Sequence, residues 1–250
     1  MASIIHAMVT SDVLDLSPQH LIDCDHMVDD EGKKNDGCNE GMARRALYYI
    51  RSIGIALEEH YEYEEKTNSN CDESKLHNLI TFNVFRSGVP FIQIDDNEPA
   101  LKEALIKYGP LLVSVNASLT TFKNYKYIVD DADVYADPKC KGGSGLHAMI
   151  LVGCGTHPLD GDFWILKNSW DVTWGKNGYM WMAAKFAAKL LHEQTSTERE
   201  KNRDGNMCGI ADLAFRPNVI IPNFNKKFVR NGGVLQPGYR KPKYCALDEI

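Results

Sequence analysis

The strongest constraint on the fold lies in the second half of the sequence. Four short segments there, "LHAMILVGCG", "FWILKNSW", "GYMWMA" and "GIADLAF", are rich in apolar and aromatic residues and are separated by glycines. Runs of this length and composition, bounded by turn residues, read as strands, and several in succession predict a twisted antiparallel sheet or barrel. The preceding stretch fits: "FNVFRSGVPFIQI" reads as strand, "NEPALKEALIKYG" as a helix opened by Asn97 and Pro99 and closed by Gly109, and "LLVSV" as an apolar strand.

The first third reads as helical. Ser17 before Pro18 is a helix start, the hydroxyl capping and the proline taking the first turn. "NEGMARRALYYIRSIG" places Met42, Ala46, Leu47, Ile50 and Ile53 on one stripe, with Asn39 as cap and Gly54 as terminator. "MASIIHAMVT" reads like a helix interior, while "TNSN", "CDESK" and the acidic residues from Glu58 to Glu65 read as loops. The expected fold class is therefore α+β, with a helical part over residues 1 to 90, a sheet part over 91 to 216 and an extended tail over 217 to 250. The mixed-charge run from 192 to 206 reads as a solvated loop.

A formal net charge of -6 argues against a nucleic-acid partner, which would call for a basic face. No apolar run approaches the length of a membrane span, and the first ten residues lack the marks of a signal peptide, so localisation stays open. Seven cysteines without a CxxC pair suit a moderately disulfide-linked protein better than a zinc module. His20, Cys24 and His26 have no second cluster to complete a metal site, and none is expected. Asn116 opens an N-A-S sequon, which matters on entry to a secretory pathway.

The chemistry centres on His147, which enters an apolar run from a glycine-rich turn. Alone, such a histidine is most simply structural, with one ring nitrogen bonded to a carbonyl. Asn168 and Trp170, in "KNSWDVTWGKNGYM", sharpen the reading. An amide oxygen can hold an imidazole in one tautomer without adding charge, and an indole can shield that bond from water. Cysteine nucleophiles use this arrangement, because an adjacent imidazolium stabilises the attacking thiolate.

Over residues 2 to 216 the chain resembles the papain-like cysteine peptidases. The motifs that carry the likeness, in order, are "LSPQHLIDC", "GCNEGMARRAL", "GPLLVSV", "FKNYK", "LHAMILVGCG", "KNSWDVTWGKNGY" and "CGIADLAF". The resemblance implies a two-domain fold, with a helical left domain and a right domain built on an antiparallel sheet or barrel. It implies peptide-bond hydrolysis by Cys-His-Asn chemistry, with peptide or protein substrates, protein inhibitors of the cystatin type as partners, and no cofactor. Such proteins typically belong to the lysosome, vacuole or extracellular space.

Residue by residue, the resemblance makes His147 the general base, Asn168 its orienting amide and Trp170 the indole over that amide. Gly41 matches the backbone that pairs with substrate, and Met42, Ala43, Gly145 and Leu146 match the lining of the main specificity pocket. It also pairs Cys24 with Cys71 and Cys140 with Cys208, and leaves Cys38 as half of a bridge whose mate lies in a front section not included here.

The family's nucleophile motif C-G-[SA]-C-[WY] and its oxyanion glutamine do not occur among these residues. The spacing from His147 puts both upstream of Met1, so the left domain is expected to lack its front section. Cys154 cannot substitute, because seven residues along one strand set it about 20 Å from His147. Smaller departures are Glu40 for a glycine, Leu146 where a polar or acidic residue is common, and Asp171 within the usual "NSWG". The expectation is a peptidase domain inactive as given, or an incomplete gene product, that hydrolyses no peptide and melts weakly. The alternative is a non-catalytic peptide- or protein-binding pseudo-peptidase.

Overall fold

The computed structural model describes residues 14 to 29, 32 to 81, 90 to 126, 134 to 143, 146 to 157, 161 to 184, 206 to 218 and 243 to 244. The expected helix interior at the N-terminus, the run from 192 to 205 and most of the tail lie outside them. The chain divides into two compact units, Met1–Ile92 with Pro217–Phe224 and Gln93–Arg216 with Asn225–Ile250.

In the first unit, helix α1 spans Pro18–Cys24, with Ser17 Oγ accepting from the His20 amide at 2.9 Å. Its buried face is polar: Asp23 accepts from Gln19, Tyr61 and both nitrogens of Asn68, which ties the loop through 61 to 68 onto the helix. His20 is equally committed, accepting from the Ala56 amide at Nδ1 and meeting Tyr49 Oη at Nε2, and Cys24 is bridged to Cys71. Neither ring nitrogen is left for a metal.

Helix α2 spans Ala43–Ser52 and buries Arg45, Leu47, Tyr49 and Ile50. Two sequence expectations fail here. Asn39 does not cap α2, because Met42 occupies the cap position without a side-chain bond and the Asn39 amide instead donates to Asp36. Ile53, expected on the buried stripe, is 46% exposed because it ends the helix as its cap residue. Gly54 follows with φ +102, the backbone conformation that lets the chain leave the helix. "CDESK", expected as loop, holds a single 3-10 turn over Glu73–Lys75.

The second unit contains the main apolar core. Strand β1, Phe91–Gln93, begins at the end of the first unit's span and leads to helix α3, Glu98–Tyr108, whose Asn97 cap accepts from the Ala100 amide and whose end is marked by Gly109 at φ +83. Then come β2 (Leu111–Asn116), the short helix α4 (Thr120–Lys123), β3 (Val134–Tyr135), β4 (Leu146–His157), β5 (Gly161–Lys167), β6 (Tyr179–Ala183), β7 (Ala214–Pro217) and β8 (Lys243–Tyr244). The sheet runs β1-β7-β2-β4-β5-β6-β3, with β8 paired to β4 off that path. Strand β4 is its spine: its first half pairs with β2, from Asn116↔Leu146 to Leu111↔Leu151, and its second half with β5. Leu101, Leu111, Val113, Val115, Leu151, Phe163, Leu166, Met180 and Met182, all buried, fill the core of this unit.

The sheet is not wholly antiparallel, since β3 runs parallel to β6. "GIADLAF" is strand only from Ala214, because a 3-10 turn over Met207–Gly209 carries Cys208 into its bridge with Cys140. Among the described residues, no helix is long and apolar enough to cross a membrane.

Candidate active site

His147 is the second residue of β4, opposite Val115 of β2, and Asn168 is the first residue after β5. Since β4 and β5 are antiparallel neighbours, the start of one lies beside the end of the other, which brings the two residues together from 21 positions apart. His147 Nε2 lies 2.8 Å from Asn168 Oδ1.

The proton on that bond can be located. Asn168 Oδ1 also accepts the Ser169 backbone N–H at 2.7 Å, and a backbone N–H can only donate, so the amide oxygen faces His147. Nε2 therefore carries hydrogen, and the basic lone pair sits on Nδ1. Asn168 is further held by donating its own backbone N–H to Gly178 O at 2.9 Å, and is only 9% exposed. Among the described residues its Nδ2 has no hydrogen-bond partner.

Trp170 lies over His147, ring centroids 4.7 Å apart and planes tilted by 33°. An aromatic stack supports it: Trp174 meets Trp170 edge-on at 5.4 Å, Phe122 packs against both, and Trp174 Nε1 donates to Lys123 O at 3.0 Å. Trp174 stands out in the sequence beside Trp170 in "KNSWDVTWGKNGYM", whereas the supporting Phe122 and Tyr125 show only as part of the motif "FKNYK".

Asp171 sits at φ +68, a conformation that favours glycine. It is stabilised there because its carboxylate accepts the Thr173 N–H at 2.9 Å, a local turn open to aspartate. The Thr173 bonds, backbone first, hold that carboxyl below the usual range.

A family model described as papain family cysteine protease matches residues 1–217. The chain belongs to the papain family of cysteine proteases. It is 34% identical over 216 residues to a cathepsin L-like peptidase of Aedes aegypti, covering 86% of this chain and 53% of that one. It is also 34% identical over 215 residues to digestive cysteine proteinase 1 of Homarus americanus, covering 86% of this chain and 56% of that protein. The chain thus spans about half the length of the curated relatives it matches. Among solved structures it is similar to the proform of the ragweed pollen cysteine protease Amb a 11, with TM-score 0.64 and 26% identity over 88% of this chain and 57% of that one. A Carica candamarcensis cysteine protease solved in complex with E-64 shares the fold, with TM-score 0.60 and 24% identity over 86% of this chain and 82% of that one.

The other sequence-assigned papain-family positions are placed as follows. Leu146 precedes His147 on β4 and is 61% exposed, while Gly145 lies outside the described residues. In the first unit Gly41 is exposed and Met42 and Ala43 are half-buried. Asn35, which the sequence did not flag, holds this edge: its Oδ1 accepts the Met42 N–H at 2.7 Å and its amide donates to the buried Asp25 at 2.6 Å. Cys24–Cys71 and Cys140–Cys208 are bridged, and Cys38 is a free, exposed thiol.

Proposed function

We propose that this chain carries the histidine–asparagine half of a Cys-His-Asn centre that hydrolyses peptide bonds. The observation that supports it best is the double use of Asn168 Oδ1, by the Ser169 N–H and by His147 Nε2, which commits His147 to the tautomer with a basic Nδ1.

In this reading Nδ1 takes the proton of a cysteine thiol, and the thiolate attacks the scissile carbonyl carbon. The imidazolium returns the proton to the departing amine, leaving a thioester. His147 then deprotonates water, which attacks the thioester, and the thiol leaves with the proton. Asn168 keeps the ring in plane throughout, and Trp170 keeps water off their shared bond. Gly41 offers backbone to an extended peptide, and Met42, Ala43, Gly145 and Leu146 set the side-chain preference. Peptide or protein substrates and cystatin-type inhibitors are the partners this implies.

The disulfide-bonded cysteines cannot supply the reacting thiol. Cys24, Cys71, Cys140, Cys154 and Cys208 are disulfide-bonded, so none offers a thiolate. The test compares the 250-residue chain with the longest product its gene encodes, on a fluorogenic dipeptide amide. The longer product is expected to turn over, to be blocked by iodoacetamide and to lose at least about a hundredfold in kcat/KM on His147→Ala, while the shorter chain is inert. Iodoacetamide-sensitive turnover by the shorter chain, or activity indifferent to His147→Ala, would overturn the proposal.

A further inference from the structure

Gly41 is exposed, and among the described residues neither its N–H nor its C=O has a hydrogen-bond partner. The next residue is the opposite case. The Met42 N–H is taken by Asn35 Oδ1 at 2.7 Å, and Asn35 Nδ2 donates in turn to Asp25 Oδ2 at 2.6 Å. Asp25 is 1% exposed and caps the end of α1, its own N–H bonded to Leu21 O, so the far end of this relay is fixed in the interior of the first unit.

The loop between Asn35 and Gly41 brings the two together. Asp36 and Glu40 pair antiparallel, with the Asp36 N–H donating to Glu40 O at 2.8 Å, and the next pair outward is Asn35 with Gly41. A Cβ placed on Gly41 would lie 3.1 Å from Asn35 Oδ1, so the carboxamide packs directly against this residue. The relay calls for one side chain that accepts from an N–H and donates to a carboxylate at the same time. A carboxamide does both; a carboxylate or an alkyl group of the same shape does not.

With the Met42 N–H occupied, the backbone left open at this edge is that of Gly41. Met42 is itself extended, at φ -122 and ψ 126, so the chain passes Gly41 before it turns into α2. Backbone of this kind pairs with an extended peptide as one strand pairs with another. How tightly it pairs depends on how firmly the edge is held beforehand, because a loop ordered only on binding gives up part of the gain.

We propose that Asn35, anchored by Asp25, is a positioning residue for peptide binding that fixes the Gly41–Met42 segment, a role that rests on the reading of Gly41 as the residue offering backbone to substrate. Asn35 touches the edge and not the peptide, and acts through Gly41.

The test uses the longest product the gene encodes and two uncleavable peptides with a methyleneamino group in place of the scissile amide. One keeps its backbone N–H groups and the other has them methylated, and affinities are read by calorimetry. The parent should bind the intact peptide at least about tenfold more tightly than the methylated one. In Asn35→Ala, and in Asn35→Asp, which sets two carboxylates against each other, that ratio should fall below about threefold. Combining Asn35→Asp with Asp25→Asn reverses the bond between the two side chains while an oxygen still faces Met42, so the ratio should recover, and this pair carries the test if the single variants do not fold. A parent that binds the intact peptide no better than the methylated one, or not at all, would remove the reading of Gly41 and this proposal with it. A parental ratio that persists unchanged in Asn35→Ala and Asn35→Asp, or one that the paired exchange does not restore, would overturn the role of Asn35 and leave that of Gly41 standing. None of these readouts depends on peptidase activity.

Discussion

The indole of Trp170 covers the imidazole of His147 at 4.7 Å, and the bond from that imidazole to Asn168 is thereby screened on one side. Screening matters because a hydrogen bond exposed to water exchanges partners, and a freely turning imidazole would present Nδ1 only part of the time. In the longest product its gene encodes, Trp170→Ala is expected to lower kcat by about tenfold, near 1.4 kcal/mol of barrier, with little change in KM. Asn168→Ala should lower it further, and Asn168→Asp should recover geometry while shifting the acidic limb of the pH–rate profile upward, since a carboxylate favours the imidazolium. Steady-state kinetics across pH on the three variants distinguishes orientation from loss of fold.

His20 should make the fold sensitive to mild acid. Burial lowers its pKa from the ordinary 6.5 to about 4, with Tyr49 at its Nε2, the Ala56 amide at Nδ1 and the Tyr61 ring stacked at 5.7 Å. The unfolded chain takes up the proton first, so the stability this neutral histidine contributes is present above about pH 6.5 and is lost as pH falls toward about 4, up to roughly 3 kcal/mol. Asp25, whose carboxyl burial holds above its usual range, acts in the opposite sense. Asp23 acts lower still, because its bonds from Asn68, Gln19 and Tyr61 outweigh the upward pull of burial. The His20 contribution is therefore read as the difference in melting temperature between the parent chain and His20→Gln from about pH 7 to about pH 4. Parallel curves would refute it.

Much of the second unit was legible because its strands are apolar, rich in aromatic residues and bounded by glycines, and the facing of His147 and Asn168 follows once β4 and β5 are neighbours. Local chemistry misled where a competing partner was closer. Asn39 has the composition of a cap but lies in a tight turn whose Asp36 carboxylate takes its amide. Asn35 gave no sign, because its bonds to Asp25 and Met42 depend on how the loop between them closes. The parallel pairing of β3 with β6 rests on two residues, too few to leave a periodicity. Asp171 was visible only as a departure from "NSWG"; its positive φ shows what the substitution must accommodate.

The sequon at Asn116 is expected to stay unmodified in the folded chain. Its side chain is 6% exposed, with Nδ2 donated to Lys141 O at 2.7 Å and Oδ1 accepting from both the Ser118 amide and hydroxyl. A glycan on that nitrogen would displace the Lys141 bond and find no room in its place. Expressed through a secretory host and purified in folded form, the protein should show no conversion of Asn116 to aspartate on treatment with an N-glycosidase. A folded, glycosylated fraction would contradict the packing around this side chain.

Asp171 offers a test of backbone strain beside the site. Its φ of +68 is costly for residues with a Cβ, and the bond from its carboxylate to the Thr173 amide at 2.9 Å offsets part of that cost. Asp171→Ala removes the bond and keeps the strain, so it should unfold at a lower urea concentration than the parent. Asp171→Gly removes both and should be close to neutral, while Asp171→Asn retains an oxygen for Thr173 and should lose less than alanine. Because Trp170 is the preceding residue, the alanine variant should also loosen the cover over His147, visible as a change in indole fluorescence that the glycine variant lacks. Urea denaturation of the three variants gives the order directly. Alanine as stable as the parent would mean that the left-handed turn at 171 is held by its neighbours and not by its own side chain.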